Sequence, residues 1–312
     1  MRFLVKDLQA RIAGSLLGLA CGDGLGGPFE GRPDIDAQHL LDWAAADSTL
    51  IYSDDTAMAS VLARHLVANK GRIVDDELVV EFARAWRAEP DRGYGAGPPA
   101  IFRVALDGGD WRAVVRHMFG GSGSLGNGAA MRVAPVAFTP WPLPDRVEIA
   151  RQQAAVTHAH PQAIDGAALL CAGVGTAAQW SGSMDPSGFL RAVAGHVHTP
   201  EFRDRMQVVL AVVNRRLESG HVGRSLGNDV TALGSVPTAL AMFLLNPDDP
   251  RAAITGAVQA GGDTDTIAAM TGALAGARCG ADSLPASWLK RLESGPRLRR
   301  LADRLAGLHP FG

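Results

Sequence analysis

Two acidic clusters at opposite ends of the chain, Ser53-Asp54-Asp55-Thr56 and Asp263-Thr264-Asp265-Thr266, hold side chains suited to hard cations. If the fold brings them together, four carboxylates share one small volume. Like charges a few ångströms apart push one another's pKa up strongly, and bound dications remove that penalty. Neither cluster contains His or Cys, a donor set that points away from zinc and towards six-coordinate, oxygen-bound magnesium or manganese.

Each cluster reads as the mouth of a helix. Ser53 stands where an N-cap belongs, Asp54 and Asp55 are favoured by the dipole in the first turn, and Met58, Val61, Leu62 and Leu66 repeat at helical spacing. Downstream, Gly261-Gly262 punctuate the chain before Asp263, Asp265 and Thr266, and Ile267, Met270, Leu274 and Ala277 form a stripe. Either cluster alone fits an ordinary capped helix; the pair speaks for a cation site.

Three glycine-rich stretches read as loops that let backbone amides approach a ligand: Cys21 to Gly31, Arg92-Gly93-Tyr94-Gly95-Ala96-Gly97, and Gly120 to Gly128. The third opens into Ala129-Ala130-Met131-Arg132, a predicted helix start, where successive amides can cradle a diphosphate without a lysine. Glu30 follows a Gly-Pro turn, on a loop able to deliver a carboxylate into a cleft. His158 and His160 precede a helix start set by Pro161, a spacing that reads as capping or ligand stacking, not as a further metal site.

Those residues need a scaffold, and periodicity supplies helices. Leu8, Ile12, Leu16 and Leu19 predict an amphipathic first helix of a cytoplasmic protein, in place of a signal peptide, because Asp7 interrupts the would-be basic region around Lys6 and Arg11. Further helices are predicted over 75–88, 145–156, 161–179, 201–218 with Gly220 as its stop, 230–245, 248–260, 264–279 and 286–306. No run of alternating β-branched residues appears, so strand content should be minimal. The 312 residues carry no charge run or proline-rich linker and read as one domain, 1–312, and small residues let helices pack closely in an all-α globule. A formal charge of -2 gives no basic footprint for nucleic acid, and nothing suggests membrane binding. Cys21, Cys171 and Cys279 have neither disulfide nor metal spacing and read as buried free thiols.

Taken in order, Gly22-Asp23-Gly24-Leu25-Gly26 with Glu30, Ser53-Asp54-Asp55-Thr56, Arg92 to Gly97, Gly126-Asn127-Gly128-Ala129-Ala130-Met131-Arg132, Thr157-His158 and Gly261 to Thr266 resemble the ADP-ribosylglycohydrolase family nearly end to end. The resemblance implies a compact orthogonal α-helical bundle with a dinuclear metal cleft. In it Ser53, Asp54, Asp55, Asp263, Asp265 and Thr266 would be ligands of two magnesium (or manganese) ions, and Glu30 would be the catalytic glutamate of a flexible loop. Leu226-Gly227-Asn228 and Ser235 to Ala239 resemble the branch that cleaves O-linked ADP-ribose, including ADP-ribosyl-serine. By the same resemblance, Arg92, Gly93, Gly95, Phe119, Ser122, Gly123, Ser124, Leu125, Gly126, Asn127, Gly128, His158 and Val230 would meet the substrate. Phe119 and His158 would lie at the adenosine end, and residues 123–128 around the diphosphate. Leu125 stands where eukaryotic members usually carry an aromatic residue.

The implied activity is hydrolysis of a ribosyl bond through an oxocarbenium-like state, with Glu30 or Asp55 handling protons. The partners expected are ADP-ribosylated proteins or small molecules, met by a monomer. Three alternatives stand beside it: an arginine N-linked hydrolase, a non-catalytic ADP-ribose-binding relative, and a haloacid-dehalogenase-type phosphatase matching Asp263-Thr264-Asp265-Thr266-Ile267. The last has the wrong context, since that motif should end a β-strand near the start of an α/β domain.

Overall fold

The computed structural model describes residues 2–32 and 35–309, with side chains from Asp7 onwards. Lys6, weighed above as part of a basic region, therefore has no described side chain. Among the described residues the chain forms seventeen α-helices and no strand, in keeping with the all-α expectation. Two isolated β-bridges, Leu50 with Leu292 and Gly126 with Thr231, are its only extended pairings there.

The architecture is organised by the antiparallel pairing of the N-terminal helix, Arg2–Gly26, with the late helix Thr264–Cys279. Glycines at four-residue spacing make the contact. A Cβ on Gly14 would lie 2.2 Å from Gly276 O, one on Gly18 2.3 Å from Gly272 O, one on Gly22 2.1 Å from Ala268 O, and one on Gly26 2.5 Å from the Asp265 Cα. Side chains on one face of each helix are thus absent, and the backbones touch. This corrects two readings of the sequence. Cys21 to Gly26 is the last turn and a half of a helix, not a loop, and that helix is buried on all sides from Ile12 to Gly26, not amphipathic. Both errors have one cause: glycine here serves interhelical contact, which outweighs its poor helix propensity.

Other helices follow the predicted ranges closely, including Asp54–Ala68, Asp75–Ala88, Leu143–Ala155, Pro161–Gln179, Ala232–Leu245 and Pro250–Gln259. The predicted 201–218 helix is Pro200–Asn214, and Gly220 lies inside the next one, Ser219–Leu226, instead of stopping the first. The predicted 286–306 helix breaks into Ala286–Arg291 and Gly295–Ala306, with Ser294 left-handed at φ 55°. Leu50 N donates to Arg291 O and Glu293 N to Leu50 O, each at 3.0 Å, so the break is where another segment takes over the backbone hydrogen bonds. Short helices at Ala37–Ala45, Pro98–Leu106, Trp111–His117 and Pro186–Ala194 had no stripe long enough to predict them. Asp36, Asp110 and Asp185 cap three of them, a local signal that was legible.

Ile12, Leu62, Phe82, Phe102, Phe138, Leu170, Phe243 and Met270 belong to one continuous buried cluster. Cys21 and Cys171 are buried free thiols pushed up to about 12 by burial, and Cys279 is half-buried and also free. No described helix is long and apolar enough to cross a membrane.

Candidate active site

The glycine contact between the two long helices carries the C-terminus of the first directly onto the N-terminus of the second. Asp23, one turn before Gly26, thereby reaches the Ser53 cluster: its Oδ1 accepts from Ser53 N at 2.8 Å, and its Oδ2 accepts from Thr56 N at 3.0 Å and Thr56 Oγ1 at 2.6 Å. Ser53 caps its helix as predicted, accepting from Asp55 N at 3.2 Å, while Asp54 N donates to Arg92 O at 2.7 Å. The Arg92 guanidinium is held by both oxygens of Glu293, at 2.7 and 2.8 Å, and by Tyr52 O at 2.8 Å. Asp23 and Glu293 were not singled out from the sequence. Asp23 could have been, from the period-four glycines that make its surroundings a helix; Glu293 could not, since its position depends on the helix break.

The second cluster is set by Gly261 and Gly262, both at φ 75°. A Cβ on Gly262 would lie 1.9 Å from Asn228 O, so glycine alone fits. Asn228 O accepts from Asp263 N at 2.8 Å, and Asn127 Nδ2 donates to Asp263 Oδ2 at 2.6 Å. Thr264 Oγ1 donates to Gly26 O at 2.9 Å, tying this turn back to the first helix.

The two clusters meet. Thr266 Oγ1 lies 3.5 Å from Asp55 Oδ1, and oxygens of Glu30, Asp263 and Asp265 lie within 4.8 Å of one another. Asp54, Asp55, Asp263 and Asp265 are buried, and Asp55 Oδ2 has no hydrogen-bond donor. A buried carboxylate oxygen without a partner is expensive unless a cation or proton covers it. Burial first, then the neighbouring carboxylates, pushes Asp54 up to about 8 and Asp55 well above the usual range. Burial likewise takes Asp265 up to about 7 and Asp23 to about 6, and raises Asp263. Glu30, at an exposed turn, is raised chiefly by the charge of Asp265. Hard oxygen donors, crowding and an orphaned buried oxygen all fit a site for divalent cations.

This acidic floor lies in a cleft of about 1090 Å³. Every residue predicted above as catalytic, metal-ligating or substrate-binding borders it, including Gly93, Gly95, Ser122, Leu125 and Val230. The wall opposite is the glycine loop, pinned by Asn127 N to Val230 O and Ala232 N to Leu125 O, both 2.9 Å. Not all its amides are free. Those of Gly123, Gly126 and Asn127 are committed to Met118 O, Ser124 Oγ and Val230 O, whereas those of Ser124, Leu125 and Gly128 have no acceptor among the described residues. Phe119, left-handed at φ 52° and 63% exposed, stands on the rim with Val230, which is 62% exposed. An exposed aromatic in that conformation marks a locally strained turn, held by Ser122 Oγ donating to Phe119 O at 2.8 Å. His158 is buried in the cleft wall, and His160 caps the Pro161–Gln179 helix by accepting from Gln162 N at 3.2 Å.

Known proteins resemble this chain along nearly its whole length. The ADP-ribosylglycohydrolase family profile matches residues 4–310. The chain is 33% identical to the Bos taurus protein named ADP-ribosylhydrolase ARH3, over 95% of this chain and 92% of that one. It is 32% identical to its Homo sapiens counterpart, covering 95% and 93%. An uncharacterized Escherichia coli protein, YegU, is 27% identical over 95% of this chain and 96% of its own. A solved structure titled ADP-ribosylglycohydrolase-related protein complex superposes with a TM-score of 0.75 at 25% identity, over 97% and 99% of the two chains. With sequence and fold both matched from one end to the other, the chain belongs to the ADP-ribosylglycohydrolase family.

Proposed function

We propose that this protein hydrolyses the ribosyl bond of ADP-ribosylated acceptors, O-linked ADP-ribose on serine foremost, and releases ADP-ribose. The observation that carries the reading is the meeting of two sequence-distant acidic clusters around the unpartnered Asp55 Oδ2, at the floor of a cleft large enough for a dinucleotide-sized ligand. Relatives that bear the name ADP-ribosylhydrolase support the reaction class.

Ser53, Asp54, Asp55, Asp263, Asp265 and Thr266 hold two divalent cations, Mg²⁺ or Mn²⁺. When bound, such a pair supplies Lewis acidity and the positive charge that lets the crowded carboxylates ionise together. The free amides of Ser124, Leu125 and Gly128 face the diphosphate, and Phe119 offers its ring to the base. Glu30, exposed beside Asp265, is better placed than the buried Asp55 to take the proton of the attacking water. As the water oxygen bonds to the anomeric carbon, the bond from that carbon to the serine oxygen breaks, and the proton passes to the departing serine.

ADP-ribose release from serine-linked, arginine-linked and O-acetyl substrates, assayed side by side with and without chelator, tests this. Release should be fastest from the serine-linked O-glycoside and be abolished by chelator. Asp54→Asn, Asp265→Asn and Glu30→Ala should each reduce it severely, and unchanged turnover in the two aspartate variants would discard the scheme.

A further inference from the structure

Arg132, Thr157 and His158 border the cleft, and the reaction above leaves the first two without a task. Arg132 is 1% exposed, yet no carboxylate pairs with it among the described residues. Its Nε donates to Gln153 Oε1 at 2.8 Å, and its Nη2 donates to Gln153 O at 2.9 Å and Thr157 Oγ1 at 2.8 Å. The Phe82 ring centroid lies 4.6 Å from its Cζ.

A guanidinium only donates, so Thr157 Oγ1 is the acceptor in that bond. The remaining neighbour of Thr157 Oγ1 is His158 Nδ1, at 2.8 Å. Unless the buried hydroxyl leaves its own proton unsatisfied, it gives that proton to Nδ1. Nδ1 then accepts, and the single proton of the neutral imidazole sits on Nε2. Nε2 has no partner among the described residues, and a Cβ on either Gly126 or Gly128 would lie 3.5 Å from it, so it sits directly against the glycine loop where both border the cleft. His158 is 5% exposed. Burial, helped by the charge of Arg132, pushes it down to about 3, so the ring stays neutral at ordinary pH.

We propose that Arg132 and Thr157 are positioning residues that lock His158 in its Nε2–H form, making the subsite beside Gly126 and Gly128 a hydrogen-bond donor that selects ligands presenting an acceptor there. The selectivity rests on the reading of the cleft as an ADP-ribose site; the lock itself does not. Two acceptors share this chemistry, a phosphoryl oxygen and an unprotonated ring nitrogen of the base.

Imidazole nitrogen NMR on the intact protein, with His158 assigned by loss of its signals in His158→Asn, reads the tautomer directly. The expected result is a protonated Nε2 and a bare Nδ1. Thr157→Val should mix the tautomers and weaken ADP-ribose binding by on the order of tenfold, with KM moving more than kcat, and Thr157→Ser should restore both. Arg132→Gln should alter the same signals; Thr157→Val keeps the test decisive if that variant does not fold. Titrations with adenosine and with pyrophosphate then separate the two sources, since only the probe carrying the acceptor is weakened by Thr157→Val. An Nδ1–H signal in the unaltered protein, or a Thr157→Val variant with unchanged tautomer and affinity, overturns the proposal. The tautomer and binding readouts need no turnover, so a protein that binds ADP-ribose but hydrolyses nothing sinks the proposed reaction and leaves the lock standing.

Discussion

Substituting Gly22 by Ala isolates the contact on which the whole site depends. The new Cβ would lie 2.1 Å from Ala268 O, where ordinary contact begins at 3.4 Å, so the deficit is 3.4 less 2.1, or about 1.3 Å. Both sides of the clash are helix backbone, and neither can rotate away. Overpacking of this kind costs about 1–3 kcal/mol and more where relaxation is blocked, whereas Gly to Ala in a helix interior returns up to about 1 kcal/mol. The steric effect wins, leaving a net loss of roughly 2 kcal/mol. Separating the helices also moves Asp23, and the Ser53 turn that it holds, away from Asp265, so turnover should fall along with stability. Urea unfolding gives the measurement: a lower midpoint at unchanged slope is expected. Gly195→Ala serves as the control, because a Cβ there meets nothing within 4 Å, and its effect should stay within about 0.5 kcal/mol. A Gly22→Ala protein as stable as the unaltered chain would refute the claim that backbone contact sets the helix spacing.

The buried acids predict an unusual pH dependence. In the metal-free fold Asp23, Asp265 and Asp54 keep protons up to about 6, 7 and 8, while the unfolded chain releases them near pH 4. Their stabilising contribution is therefore complete below about pH 4 and is lost as pH climbs through those higher values; thermal melts of chelated protein that stay flat from pH 5 to 8 would contradict this. Added Mg²⁺ or Mn²⁺ should raise the melting temperature most at the alkaline end, where protons no longer cover the carboxylates. Asp54→Asn removes one of the repelling charges, so the chelated variant should melt higher than the unaltered chain even as ADP-ribose release drops by on the order of a hundredfold. Glu293→Gln should weaken the grip on Arg92, whose carbonyl caps Asp54 N. A loss of about 1–2 kcal/mol in urea unfolding is expected for this partly buried, two-pronged pair; the Arg92 Cζ also lies 4.5 Å from the Tyr52 ring centroid, and no change would assign its placement to that stacking instead.

What was legible in the sequence is what short-range physics decides. Ser53 capping Asp55 N, the acidic first turn, the helices after Gly262 and Pro161, and the absence of strands among the described residues follow from hydrogen bonds and periodicities spanning a few residues. The donor types of the two acidic clusters were equally plain. Only the tertiary structure decided that the clusters face each other, because the contact responsible is Gly14, Gly18 and Gly22 against the late helix, and a glycine looks the same whether it ends a helix or lets another pass. The break at Ser294 that sets Glu293, the three loop amides left free, and the proton on His158 likewise depend on partners far along the chain. No local rule encodes such encounters, since they are settled by packing free energy summed over the whole core.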